Sequence, residues 1–342
     1  MAGRSNAGAG RNTGTFRSFA LGIAWLLLST GIALAGAAED WLAAVPDGVL
    51  EPEVPADNPM SADKVALGRK LYFDTALSTD GTVACATCHD PSHGFADPRG
   101  ATSAGVGGAL GVRNAPTTLN AAFLIDQFWD GREQGLEAQA VQPLVNSVEH
   151  GFADFAAVEA NLKARSDDYA ALFRAAFGDE AITIERVGQA IASFERTLLT
   201  LQAPIDRFLA GDAAAISESA KRGWARYNGQ ARCNNCPGHI DSLPLFTDEL
   251  YHHLGVGIEG IDFDSVARRV ARERGAGKSL DELALADSDA SALGRFMVTG
   301  EQKDMGAFKT PPLRNVALTA PYMHDGSEAT LAAVIELSLI HI

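Results

Sequence analysis

Apolar residues recur every three or four positions along most of the chain, and strict alternation is scarce, so the pattern predicts helices rather than strands. Val65, Leu67, Leu71 and Tyr72 give one apolar side to a helix over residues 64–73, which Ser61 can cap. Helical patterns follow over 133–142, 155–164, 169–177, 184–199 and 217–227, and Thr330–Glu336 begins another. Residues 38–60, with Pro46, Pro52, Pro55 and Pro59, read as an extended lead-in. The stretch 98–111 is rich in Gly, Ala and Ser and reads as a loop, and 204–216 reads as a linker. The fold class is therefore mainly α.

One apolar run differs from the rest. Phe19 to Ala35 is nearly continuous, is preceded by Arg4, Arg11 and Arg17, and closes on the small residues Ala33-Leu34-Ala35. That is the layout of an export signal, expected over residues 1–37; a membrane anchor is the competing reading of the same run. No other run is long enough to span a bilayer, so after cleavage no membrane attachment is expected. Removing residues 1–37 takes away three arginines and no acid, and the formal charge of −15 becomes −18. Such an acidic chain is a poor ligand for nucleic acid or anionic lipid. At 46% hydrophobic and 21% charged it has a globular composition, but only 7% of residues are aromatic, and a buried cofactor would help fill its core.

The four cysteines form two pairs, Cys85/Cys88 and Cys233/Cys236, with none left over. In an exported protein two disulfides are one reading, but a C-x-x-C disulfide closes a very small loop and constrains little of the unfolded chain. The first pair reads Cys85-Ala-Thr-Cys88-His89, the attachment motif of c-type haem: two thiols form thioethers with the vinyl groups, and the next histidine ligates the iron. A thioredoxin-like pair would need a βαβ context that is missing, and a zinc site would have to gather cysteines about 150 residues apart. The second pair is irregular, Cys233-Asn-Asn-Cys236-Pro237-Gly238-His239, with the histidine displaced by two positions. Either His239 is a ligand of a second haem in a variant motif, or the sequence is locally altered. Each pair follows a helix with aromatic residues. That weak internal repeat suggests two cytochrome-c-like domains, residues 61–203 and 217–336, each around one covalently bound haem c, with the haems near the domain interface.

Beyond these motifs the chain resembles the bacterial di-haem cytochrome c peroxidase family, whose wider circle includes MauG and methanobactin-associated di-haem enzymes. The stretches that carry the resemblance run in order from about residue 50 to 336. They are Leu67–Asp74, Cys85–His89 with Gly94–Asp97, Arg113–Thr117, Phe128-Trp-Asp-Gly-Arg132, Leu136–Gln139, Ser193-Phe-Glu-Arg-Thr197 and Gly306–Gly326. The resemblance implies a distal pocket over the first haem made by Gln139, Pro143 and Glu149. Gln139 and Pro143, four apart, are expected on one helix face, with Pro143 near that helix's end. Glu149 is expected to move a proton between the two oxygens of a peroxide. The resemblance further implies that Trp129 lies between the two haems, and that Asn114, Thr319 and Pro321 bind a calcium ion.

One departure stands out. Peroxidases of this family carry a second histidine sixteen positions after the motif histidine, capping the first haem at rest; here that position is Gly105, in a flexible-looking Ala-Gly-Val-Gly-Gly run. His93 is too close to His89 to reach the other face. The first haem is therefore expected to be open, as on the MauG side of the family. Three functions compete. The leading one is a periplasmic peroxidase that reduces hydrogen peroxide with electrons from a small cytochrome c or copper protein. The second is a MauG-type oxidase of Trp or Tyr on a partner protein, and the third a non-catalytic electron carrier. The family resemblance puts the distal ligand of the second haem, Met or Tyr, at position 338, where Ser338 stands. Residues 337–342, Leu-Ser-Leu-Ile-His-Ile, match the translation of a transposon end used to fragment DNA, and are expected to be foreign to the gene. His341 is on that ground not expected to be a ligand.

Overall fold

The computed structural model describes residues 41–231, 233 and 245–340. The expected export signal, Cys236, Pro237, Gly238, His239 and His341 lie outside the described residues.

In the first half, Ser61 caps helix α1 (Ala62–Tyr72) by accepting from Lys64 N–H, as its sequence predicts. A single helical turn, α2 (Cys85–Cys88), holds the first cysteine pair. Then come α3 (Gly135–Gln139), α4 (Phe155–Lys163), α5 (Ser166–Phe177) and α6 (Ile184–Glu195). Asp154 and Thr183 cap α4 and α6 through their side chains. Helices α1 and α6 cross in close contact: a Cβ on Gly68 would stand 1.8 Å from the carbonyl oxygen of Ala190, so only glycine permits the crossing. Around it lies the main core, with Leu67, Leu71, Tyr72, Val158, Leu162, Tyr169, Phe173, Ile191 and Phe194 all buried.

The second half carries α7 (Pro204–Leu209), α8 (Glu218–Asn228), α9 (Phe263–Gly275), α10 (Leu280–Ala286), α11 (Ser288–Ser291), α12 (Phe296–Thr299) and α13 (Leu331–Ile340). It buries a separate, smaller cluster of Val266, Val270, Leu283, Ala284, Leu293 and Met297. Strand structure among the described residues is confined to two antiparallel ribbons. In one, β1 (Asp126–Gln127) pairs with β2 (Glu133–Gln134); in the other, β3 (Tyr251–His252) pairs with β4 (Phe308–Lys309). The chain is mainly helical, with two cytochrome-c-like domains.

Several expectations need correction. The helix read over 133–142 is broken: it is a strand at 133–134, α3, and a 3-10 turn over Gln142–Val145. Gln139 ends α3 and Pro143 sits in the separate turn, because proline has no N–H to continue the α-helical ladder; the two do not share one helix face. The linker expected over 204–216 begins with α7, which Pro204 opens at a first-turn position where its missing N–H costs nothing. The lead-in is not wholly extended, since Trp41–Ala44 form a 3-10 turn. Helix α6 stops at Glu195 rather than Leu199. The helix that Thr330–Glu336 was expected to begin is α13, which runs from Leu331 to Ile340, with the Ser338 hydroxyl donating back to Val334 O at 2.8 Å. Finally, α9 was not expected, although Phe263, Val266 and Val270 mark its apolar stripe among many charges.

Candidate active site and haem-binding cavity

The Cys85–His89 motif folds locally for simple reasons. Thr87 Oγ1 accepts from Ala84 N–H at 2.9 Å, and His89 N–H donates to Cys85 O at 3.0 Å, closing one helical turn. A three-residue spacing on a turn brings both thiols to one side. The chain then reverses through Pro91–His93 and Gly94, which adopts φ 62°. The reversal returns Phe95 O to 3.2 Å from His89 Nδ1, so Nδ1–H donates there and holds the ring. Burial pushes the imidazole towards its neutral form, the form that binds metal. Both thiols, reduced and half-buried, are pushed up by burial, unlike the lowered thiol of a redox pair. His93 is exposed on the surface, against Asp90 and Ser92.

Cys88 and His89 open onto a cleft also walled by Asn114, Trp129, Arg132, Gln139, Pro143, Glu149 and Glu195. The structure thus brings together the motif, the three residues expected over the haem, and Trp129. The residues fit a c-type haem: an imidazole pushed towards its neutral form, two thiols on one turn, and buried polar atoms left for a guest. Those atoms are Glu149 Oε2, Glu195 Oε2 and Arg132 Nη2, which find no hydrogen-bond partner in the protein. No group of three or more His, Cys, Asp or Glu that could hold a metal by itself occurs among the described residues.

Burial is the main cause of the unusual carboxyls. It pushes Glu149 up to about 8, aided by the charge of Asp281 and opposed by Arg132. It pushes Glu195 up to about 8 as well, with Arg196 opposing. Gly105 lies tightly against this part of the wall and is not a flexible position: Val106 N–H donates to Glu149 O at 2.9 Å, and Gly105 N–H to Ala109 O at 2.8 Å.

The wall is tied to the second half by buried charge. Arg113 donates to Asp130 Oδ2 at 2.6 Å and to Ser291 Oγ at 2.8 Å, while Arg132 donates to Asp130 Oδ1 at 3.0 Å and to Asp281 Oδ1 at 2.5 Å. Despite burial, the two guanidinium groups hold Asp130 down to about 2. Trp129 is fixed from both sides: its indole N–H donates to Asn114 O at 2.9 Å, and its carbonyl accepts from Lys309 N–H at 2.8 Å. Asn114 N–H in turn donates to His324 O at 2.8 Å, which joins it to the loop containing Thr319 and Pro321. Of the second motif only Cys233 is described, as a reduced, half-buried thiol.

The stretches that carry the resemblance contain Arg132 and Glu195 but assign them no role, and Asp281 lies outside them. Glu195 carried a further signal: it lies four residues after buried Ile191, an acid on the apolar face of α6. The pairing of Arg132 with Asp281 carried none, since it spans 149 residues.

A helical two-domain fold with a haem-attachment turn opening onto a polar-lined cleft defines a c-type cytochrome with room for catalysis. The sequence profile of the family described as di-haem cytochrome c peroxidase matches residues 62–214. The methylamine utilization protein MauG of Methylophilus methylotrophus is 39% identical over 282 residues, covering 82% of this chain and 74% of its own length. The cytochrome c551 peroxidase of Nitrosomonas europaea is 34% identical over 283 residues, covering 83% and 75%. Among solved structures, a MauG-like protein associated with microbial copper homeostasis superposes with a TM-score of 0.70 at 35% identity, covering 85% of this chain and 80% of that one. The chain belongs to the di-haem cytochrome c peroxidase family, and is a peroxidase-like oxidoreductase with haem c as its cofactor. No helix among the described residues is long and apolar enough to cross a membrane.

Proposed function

We propose that this protein reduces hydrogen peroxide at the haem held by Cys85, Cys88 and His89, taking two electrons and two protons per peroxide to give two waters. The observation that carries the reading is the buried Glu149 carboxyl, unpartnered at Oε2 and on the wall of the cleft that His89 lines. When bound, the haem supplies the redox-active iron. Thioethers from Cys85 and Cys88 fix its position, and His89 Nε2 ligates it while Phe95 O fixes the ring. Glu149 takes the proton from the near oxygen of peroxide and returns it to the leaving oxygen. Gln139 and Pro143 shape the cleft beside it and limit water. Trp129, tied to both halves, would be suited to pass electrons from a second haem, were one attached at Cys233 and Cys236. Asn114, with the Thr319 and Pro321 carbonyls, offers hard oxygen donors suited to calcium at the join. The electrons come from a small cytochrome c or copper protein in the periplasm, the compartment to which residues 1–37 would direct the chain.

The Gly105 packing favours a second reading within the same site, since it supplies no second histidine to the first haem. An open haem can serve MauG-type oxidation of Trp or Tyr on a partner protein. Steady-state assays separate the two. Peroxide-dependent oxidation of a reduced small cytochrome or copper protein, with no amino acid modified, supports peroxide reduction. Peroxide consumption only alongside modification of a partner's Trp or Tyr supports the second.

A further inference from the structure

We infer that Asp281, from the second half of the chain, is a positioning residue for Glu149: it holds the Arg132 guanidinium in a buried ion pair and so leaves the Glu149 carboxyl unpaired. The inference rests on the proposed role of Glu149.

Three side chains meet at this part of the wall. Arg132 is buried and committed on two edges, Nη1 to Asp130 and Nε to Asp281 Oδ1. Its ring-facing side lies over Phe128, 3.5 Å from the centroid. Its Nη2 remains buried and unpartnered, as does Glu149 Oε2. Arg132 and Glu149 line the same cleft. Asp130 and Asp281 fix the guanidinium on two of its edges, and in that position its Nη2 makes no bond to Glu149. Asp281 is itself held: Asn146 Nδ2 donates to its Oδ2 at 3.3 Å and to its carbonyl at 3.2 Å. Asn146 lies three residues before Glu149 and accepts Glu149 N–H on its own carbonyl at 3.2 Å. One short segment therefore carries both the acid and the clamp on the carboxylate that controls it.

The groups that interact with Glu149 by charge are Asp281, Arg132 and the Cys85 and Cys88 thiols of α2; further titratable groups lie on the adjoining segments. Arg132 and Asp130 lie on the β1–β2 loop, with Glu133 in β2 beyond them; Asp281 lies on α10. His150 follows on its own segment, held neutral by burial and bonded to Leu77 O. Asp80, exposed, accepts from Gly107 N–H across the adjoining loop. Burial raises Glu149, and Asp281 raises it further while Arg132 lowers it, so the two partners of the clamp pull in opposite directions. Substituting either one alone must move Glu149 in a direction fixed in advance.

The test is an infrared titration of the Glu149 carboxyl C=O band in the full-length, haem-loaded protein, with the band assigned by its loss in Glu149→Gln and separated from Glu195 by Glu195→Gln. Asp281→Asn is expected to lower the midpoint by about one unit or more, roughly a tenfold change in acidity. Asp281→Glu, which keeps the charge, is expected to stay near the parent value, and Arg132→Gln to move the midpoint upward. A midpoint unchanged or raised in Asp281→Asn overturns the inference. Should that variant fail to fold, an Arg132→Gln midpoint that does not rise overturns it equally. The readout is independent of turnover: if Glu149→Gln leaves the peroxide reaction unchanged, the proposed function fails while this coupling stands or falls by its own titration.

Discussion

Gly105 presses against the backbone of Glu149: a Cβ on Gly105 would lie 2.2 Å from Val148 O and 2.4 Å from Glu149 O. No side chain fits there unless the loop parts from the wall. The place where a capping histidine stands in peroxidases of this family is therefore closed to one, and the contact that closes it also positions the acid.

The haem on His89 is accordingly expected to be five-coordinate and high-spin as isolated. Electron paramagnetic resonance reads this directly. A spectrum in which this haem shows only low-spin bis-histidine signals, with no activation step, contradicts it.

Gly105→Ala is expected to lower stability by about 1–3 kcal/mol, the usual cost of forcing a methyl into a filled space. Chemical denaturation measures it. A variant as stable as the parent would show that the 105–109 loop is free to move off Glu149.

Glu195 sets a pH dependence on stability. Its folded pKa, about 8, lies above the ordinary value of 4.5, so between those values the folded chain binds a proton that the unfolded chain lacks. Stability therefore falls as pH rises through that window, and the penalty is absent below it. Glu195→Gln is expected to match the parent near pH 4 and to exceed it near pH 9, by on the order of 2–4 kcal/mol. Denaturation curves of equal midpoint at the higher pH would mean that Glu195 ionises freely in the fold.

The second cysteine pair is expected to load haem poorly, since Pro237 stands where the ligating histidine belongs, and Pro-Gly favours a turn over the helix that usually follows. Intact-mass measurement is expected to find one covalent haem on the chain as it stands, and two after deletion of Pro237 and Gly238, which restores Cys-Asn-Asn-Cys-His. Two haems on the unaltered chain would make His239 a ligand in its present setting.

What the chain disclosed in advance follows a physical division. The haem turn was legible because attachment chemistry fixes Cys85, Cys88 and His89 within five residues, and a single helical turn then follows from local bonds. Helices α1, α4, α5, α6 and α8 were legible from their helical patterns, and α1 also from its cap at Ser61; the caps at Asp154, Thr183 and Ser217 came to light only in the structure. The break between Gln139 and Pro143 was misread because helical periodicity outweighed the local effect of proline. Gly105 looked flexible in a Gly-rich run, and only the neighbouring strand of backbone at Glu149 shows why it is glycine. Glu149, Gln139 and Trp129 were reached through resemblance, since an acid or an indole has no local signature. The Arg132–Asp281 pair was out of reach altogether, because distant residues meet only through the tertiary fold.

The most direct test of the account is the reaction of the haem-loaded protein with hydrogen peroxide, followed by stopped-flow absorbance in the parent and in Glu149→Gln across pH 6–9. The parent rate is expected to rise as pH climbs through about 8, where Glu149 becomes the carboxylate that accepts the peroxide proton. Glu149→Gln is expected to keep its haem, to react about 10²–10⁴-fold more slowly, and to lose that rise. A Glu149→Gln protein that reacts at the parent rate with the same pH profile would contradict the central claim that this buried carboxyl moves the proton in peroxide cleavage.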